Sequence, residues 1–200
     1  GILMGRPSFG SWVAYGLGSE NQNLPSVIVL PDPGGGIKGG PPAWGSGYLP
    51  ATHQGVTVRP GPTPLIHLNP TSTRTRREQR STLNLIQSLN QRHIEQRLGD
   101  DELSTRMQAY ELAFRMQAAA PELVDLSKES AYTRSLYGMD RPETQEFGTR
   151  CLLARRMLEQ GVRFVQLYSG DTNGWDAHSD VAKNHGEYLS LIHISEPTRL

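Results

Sequence analysis

The chain has 200 residues, with 20 basic and 20 acidic side chains, so its formal net charge is zero. This balance argues against a strongly basic nucleic-acid-binding protein and against a polybasic membrane-surface protein. No stretch approaches the roughly 18 uninterrupted apolar residues of a membrane span. The single cysteine excludes an internal disulfide framework and any cysteine-rich zinc module.

The first part of the chain predicts a helix, a buried strand and a long loop. Pro7 and Ser8 suit the first turn of a helix, and its predicted inner face carries Phe9, Trp12, Val13 and Gly16. Residues 26–30 are a short apolar run bounded by prolines, which predicts a buried strand. Residues 31–64 are rich in glycine and proline, and Trp44 and Tyr48 favour a packed loop. Short strands are predicted at 56–58 and 65–68.

Three helices and a strand are predicted in the remainder. Apolar residues at helical spacing place the helices at 75–98, from about 101 to 120, and at 142–160, with Pro121 closing the second or starting another turn. Each helix is predicted to carry its apolar residues on one side. On the first helix these are Leu83, Ile86, Leu89, Ile94 and Leu98. On the second they are Leu103, Met107, Tyr110 and Phe114, and on the third Phe147, Cys151, Ala154 and Leu158. Gly161 and a β-forming run at 162–168 follow. This helix, glycine, strand order is half of a βαβ crossover and predicts an α/β fold.

The segment after that last strand holds the most informative polar residues. Ligands of open α/β sheets bind beyond the carboxyl ends of strands, and residues 169–180 leave such an end. Asp176 and His178 point the same way if the backbone is extended, and a carboxylate with an imidazole suits a divalent metal or a general base. His185 shares that face if Ser179 starts a helix. Alternatively, Asp176 is a turn residue or helix cap near a surface histidine.

Other polar features carry weaker functional hypotheses. Cys151 is predicted to be a buried structural thiol. The run 34–36 of three glycines is interpreted as a flexible loop, because no P-loop lysine or helix follows it. Arg74, Arg76, Arg77 and Arg80 form an arginine cluster. These side chains either contact phosphate or line a solvated helix face, and the solvated face is the favoured interpretation. His53, His67 and His93 are interpreted as structural or exposed.

Four separated blocks, in order, resemble one bacterial family. The block at 5–25 is similar to the long opening block of that family. Residues 110–117, YELAFRMQ, resemble a helical stretch, and CLLARR at 151–156 with GVRFVQL at 161–167 resembles a third block. The loop Trp175-Asp176-x-His178 matches the fourth, WDxH. The chain is thereby identified as a member of the domain-of-unknown-function 1501 family (DUF1501).

The resemblance implies more than the residues themselves establish. It implies membership of the alkaline phosphatase and sulfatase-like superfamily, an α/β sandwich with a metal-centred site, and export to the periplasm or beyond. Asp176, His178 and His185 are then expected metal ligands, with zinc, calcium or magnesium as the cofactor. A two-metal site of this kind polarises a phosphate or sulfate ester and stabilises an in-line displacement. The implied substrate is a small-molecule or polysaccharide ester.

The ends of the chain carry a separate expectation. Residues 189–200 resemble the translation of a transposase library adapter, so residues 1–188 are expected to be an internal part of one alkaline phosphatase-like domain. Further acidic and histidine ligands are then expected from family motifs beyond this segment, and no nucleophile is identified within it. This chain alone is expected to be inactive. The competing hypothesis is a non-catalytic extracytoplasmic binding or surface protein of the same superfamily, with Trp44 and Tyr48 on a surface for polysaccharide.

Overall fold

Three short parallel strands form the sheet of the computed structural model, which describes residues 5–33, 39–59, 74–96, 101–170 and 175–186. The strands are β1 Val27–Leu30, β2 Val56–Thr57 and β3 Phe164–Leu167. The helices are α1 Phe9–Leu17, α2 Arg76–Gln96, α3 Asp101–Val124, α4 Ala131–Leu136 and α5 Pro142–Glu159. The predicted strand at 65–68 and the segment 187–200, which includes the adapter-like tail, lie outside the described residues.

The sheet has the order β2-β1-β3, so the strand predicted at 26–30 is its centre. Val27 lies opposite Phe164 and Ile28 opposite Val56, and both pairings are parallel. All four residues of β1 are buried. A central parallel strand covered on both faces accounts for its uninterrupted apolar sequence. The predicted α/β class is confirmed.

Helix α1 covers one face of the sheet with buried small residues and with the edge of one aromatic ring, since Phe9 contacts Phe164 of β3 at 5.6 Å between ring centres. Ser8 caps the helix, and its hydroxyl accepts a hydrogen bond from the Ser11 amide at 3.2 Å. A Cβ added at Gly10 would lie only 2.7 Å from the Phe164 ring, so the helix backbone rests directly on β3. The predicted face is therefore partly wrong. Phe9 contacts the sheet but is 73% exposed, whereas Gly10, Ser11 and Ala14 are buried.

Helices α3 and α5 cover the other face and enclose the main hydrophobic core. The core residues are Leu24, Ile28, Leu30, Val58, Met116, Ala120, Leu123, Leu153, Met157 and Val162. The predicted inner faces are partly wrong, because Tyr110 and Leu158 are more than half exposed whereas Met116 and Met157 are buried. Pro121 lies inside α3, and burial of Ala120 and Leu123 on either side of it outweighs the local preference to end the helix.

Helix α2 is attached to α3 through charged and aromatic contacts. Arg80 donates to both carboxylate oxygens of Glu111, at 2.6 and 3.0 Å. The guanidinium groups of Arg76 and Arg80 lie 4.7 and 4.0 Å from the centre of the Phe114 ring. The favoured interpretation of this cluster as a solvated face holds for Arg74, Arg76 and Arg77, which are exposed, whereas Arg80 is partly buried in its pair with Glu111. The apolar side predicted for α2 is only partly buried, because Leu83 and Ile94 are half-buried whereas Leu89 is 54% exposed, and Leu98 lies outside the described residues.

Among the described residues, no helix combines the length and the apolar character that a membrane crossing requires.

Candidate functional site

The carboxyl ends of β1 and β3 are joined by a buried arginine from α5. Arg150 is 2% exposed, and it donates to the carbonyl oxygens of Pro31 and Tyr168, which directly follow the two strands. It also contacts the Asp32 carboxylate at 3.2 Å. The same carboxylate oxygen accepts the Gly170 amide hydrogen at 2.8 Å. We call Asp32 and Arg150 the strand-end clamp.

Beyond the clamp, a second set of hydrogen bonds connects β3 to the WDxH loop. The Trp175 indole nitrogen donates to the Ser169 carbonyl oxygen at 3.2 Å. The Trp175 carbonyl lies 3.2 Å from Nε2 of His185, and the two rings are 6.1 Å apart. Trp175 therefore joins the end of β3 to the helical segment at 181–186.

Asp176 and His178 come together as the sequence predicts. Oδ2 of Asp176 lies 3.5 Å from Nε2 of His178, and their side chains are 64% and 85% exposed. An exposed pair of this kind adds little to stability. Both side chains are therefore open to solvent, and separation of the pair costs the fold little.

His185 does not share a helix face with His178. The helical segment begins at residue 181 rather than at Ser179, and Asp180 caps it by accepting the Lys183 amide hydrogen at 3.3 Å. His178 thus precedes the helix. The residue that caps this helix is Asp180 and not Asp176, for which the alternative interpretation offered a turn or a cap position. The described part of the chain contains no group of three His, Cys, Asp or Glu side chains placed to hold a metal ion. The assignment of these residues to a metal stays a prediction.

The clamp was missed by sequence reasoning. Asp32 lies two residues beyond the buried strand β1, and Arg150 occupies a buried position in the middle of α5. An acidic residue at a strand end and a basic residue on an inner helix face are individually common, so the signal lies only in their pairing. That pairing spans 118 positions of the chain and is not readable from local spacing.

Cys151 is a shielded thiol next to the clamp arginine. It is the one cysteine of the chain, it is partly buried, and desolvation raises its pKa to about 11. The positive charge of Arg150 acts in the opposite direction and is outweighed. A thiol in this state holds its proton near neutral pH, which agrees with the predicted structural role.

The glycine-rich loop is packed where the structure describes it. Trp44 lies 6.5 Å from Tyr168, ring centre to ring centre, which places the loop beside the end of β3. Tyr48 is 69% exposed and contacts Trp12 edge-on at 6.0 Å. The His53 ring contacts the Tyr15 ring, and partial burial lowers the pKa of His53. His93 is exposed on α2, while residues 34–36 and His67 lie outside the described residues.

The fold and these strand-end residues define an α/β protein with a polar candidate site at the carboxyl edge of a parallel sheet. The family model described as "Protein of unknown function (DUF1501)" matches residues 2–192, so the chain belongs to this family. The matched range reaches into the segment 189–200, and the adapter origin of that segment stays a prediction. Neither the curated proteins nor the solved structures contain a match to the chain.

Proposed function

We propose that this chain supplies part of the divalent-metal site of an exported sulfate- or phosphate-ester hydrolase. The supporting observation is the 3.5 Å separation between Oδ2 of Asp176 and Nε2 of His178. Zinc binds carboxylate oxygen and imidazole nitrogen at about 2.0–2.1 Å, so two such donors on one tetrahedral ion lie roughly 3.4 Å apart. The observed separation of 3.5 Å is close to that distance, and this supports donation by both side chains to one zinc ion.

The surroundings of the pair suit this role. Both side chains are exposed, so an ion and an ester reach them from solvent. His185 contacts the Trp175 carbonyl at 3.2 Å, and it is the third ligand that the family resemblance implies. Zinc is the metal that an Asp and His donor set favours over calcium and magnesium, which prefer oxygen.

The proposed roles of the metal ion and of its protein ligands follow from these positions. A bound divalent ion polarises the sulfuryl or phosphoryl oxygen and stabilises charge that develops during displacement. Asp176 and His178 hold the ion at the carboxyl edge of the sheet, and the family resemblance supports further ligands from elsewhere in the full-length protein. Small-molecule and polysaccharide esters are the proposed substrates.

Hydrolysis of aryl phosphate and aryl sulfate by the full-length protein tests the proposal. We expect turnover that a chelator abolishes and added zinc restores. Replacing one ligand, as in Asp176→Asn or His178→Gln, lowers kcat/KM by at least about tenfold. His93→Gln, an exposed histidine on α2, is the matched control and leaves turnover unchanged. Turnover that survives both the chelator and the ligand variants contradicts the proposal.

One observation favours a second candidate, a non-catalytic polysaccharide-binding surface. Trp12, Tyr15 and Tyr48 are 45%, 55% and 69% exposed, and Trp12 contacts each of the two tyrosines edge-on at 6.0 Å. Clustered exposed aromatic side chains are typical of an interaction surface. Retention of the chain on an insoluble polysaccharide, lost in the Trp12→Ala and Tyr48→Ala double variant, supports this candidate. Equal retention of the double variant contradicts it.

A further inference from the structure

The strand-end clamp is unusual because it takes a guanidinium almost completely out of water. Arg150 is 2% exposed, and its Nε has no hydrogen-bond partner among the described residues. Taking an arginine out of water is costly, and apolar residues of similar size often serve stability equally well or better. Stability alone therefore does not explain why α5 carries an arginine at this position.

What the clamp does achieve is to fix the backbone on both sides of Ser169. The carbonyl before it, that of Tyr168, accepts from Arg150, and the amide after it, that of Gly170, donates to Asp32. Charge-assisted hydrogen bonds of this type are stronger and more directional than neutral ones. The Ser169 peptide is held in one orientation as a result.

The orientation of Ser169 matters because its carbonyl oxygen accepts the Trp175 indole hydrogen at 3.2 Å. Trp175 directly precedes Asp176, and its own carbonyl contacts His185. The contacts run without interruption from the clamp through Ser169 and Trp175 to the WDxH loop.

We propose that Asp32 and Arg150 are positioning residues that orient Trp175 and, through it, the Asp176 and His178 pair. Asp32 and Arg150 orient Trp175 already in the chain without a bound metal ion. Its consequence for metal binding rests on the proposed function.

Glu129 provides a matched control for the clamp. Its carboxylate accepts from Arg156 at 2.9 Å and contacts Arg155 at 3.3 Å, and both arginines belong to α5 as Arg150 does. Its side chain is 14% exposed, against 15% for Asp32. Asp32→Ala and Glu129→Ala thus break similar buried ion pairs with arginines of α5. Of these two acids, Asp32 is the one that bonds to the segment that follows β3.

The experiment measures hydrogen exchange of the three tryptophan indole N–H groups by NMR in the full metal-free chain. Asp32→Ala is expected to accelerate exchange of the Trp175 indole by about tenfold, because loss of the charge-assisted bond from Gly170 frees the Ser169 carbonyl that accepts the indole hydrogen. Exchange of Trp12 on α1 stays unchanged, and Glu129→Ala changes none of the three. If Asp32→Ala does not fold, Asp32→Asn replaces it, with a smaller acceleration in the same direction. Trp175 exchange equal to wild type in a folded Asp32 variant overturns the proposal.

A zinc titration of the same variants separates this proposal from the proposed function. Asp32→Ala is expected to weaken zinc binding by about tenfold, as for other residues that orient metal ligands, and Glu129→Ala is expected to leave it unchanged. Absence of zinc binding in the wild type overturns the metal site, while indole exchange still decides the clamp. Unchanged zinc affinity together with accelerated exchange overturns the link from the clamp to the ligands.

Discussion

Replacement of Gly148 by alanine forces two backbone segments apart. A Cβ at this position in α5 would lie 1.8 Å from the carbonyl oxygen of Tyr137, at the end of α4. That oxygen has little freedom to move, because the Tyr137 amide donates to Thr133 at 3.1 Å and the neighbouring Gly138 carbonyl accepts from Thr144 at 2.7 Å. Real Cβ contacts do not fall below 3.0 Å, so the segments must separate by about 1.2 Å.

The net cost combines two opposing effects. Alanine is better than glycine in a helix by about 1 kcal/mol. Overpacking against a fixed neighbour costs about 1–3 kcal/mol and sometimes more, and a contact with backbone belongs at the upper end. We therefore expect Gly148→Ala to lower the free energy of unfolding by about 2 kcal/mol. The displacement also moves Arg150, which lies two residues further along α5.

Urea unfolding followed by circular dichroism measures this loss. Gly16→Ala is the matched control, since it is the same substitution in α1 and no atom lies within 4 Å of its added Cβ. We expect the Gly16→Ala control to be as stable as the wild type or more stable by up to about 1 kcal/mol, whereas Gly148→Ala is less stable than the wild type. A Gly148→Ala chain as stable as the wild type would refute the close approach of α4 and α5.

Three further predictions test the core and the charged contacts. Met157→Ala, at a fully buried position, should cost about 2–5 kcal/mol, whereas Leu158→Ala, 52% exposed, should cost far less; equal losses would contradict the observed face of α5. Cys151 should react with a disulfide reagent at pH 8 at least about tenfold more slowly in the folded than in the urea-unfolded chain, and equal rates would contradict its burial. The hydrogen bonds from Arg80 lower the pKa of Glu111, so the stabilisation is present above the unfolded value of 4.5 and is lost as pH falls toward the folded value. Glu111→Gln should therefore flatten the fall in stability on acidification, and an unchanged slope would show that this pair does not contribute.

The secondary structure was largely predictable because its signals are local. The apolar run at 26–30, the helix, glycine, strand order around Gly161 and the proline at the start of α5 each depend on neighbouring residues. The inner faces of the helices were less predictable. In α1 the sheet contacts Gly10 and Ala14, because small residues allow close approach of the backbone, while hydrophobic periodicity favours the large side chains Phe9 and Trp12.

The candidate site was predictable in part for a related reason. Asp176 and His178 are two residues apart, and local backbone geometry is sufficient to bring them together. The placement of His185 depends on where the following helix begins, and the cap at Asp180 moves that start from Ser179 to residue 181. Asp32 and Arg150 meet only when β1, α5 and β3 pack, so no local pattern indicates them.

Calorimetric titration of the full chain with zinc tests the central claim most directly. The geometry of the Asp176 and His178 pair predicts one ion per chain, with affinity reduced at least about tenfold in Asp176→Asn and in His178→Gln and unchanged in His93→Gln. Binding that is absent, or equally strong in all four proteins, would contradict the assignment of this pair to a metal.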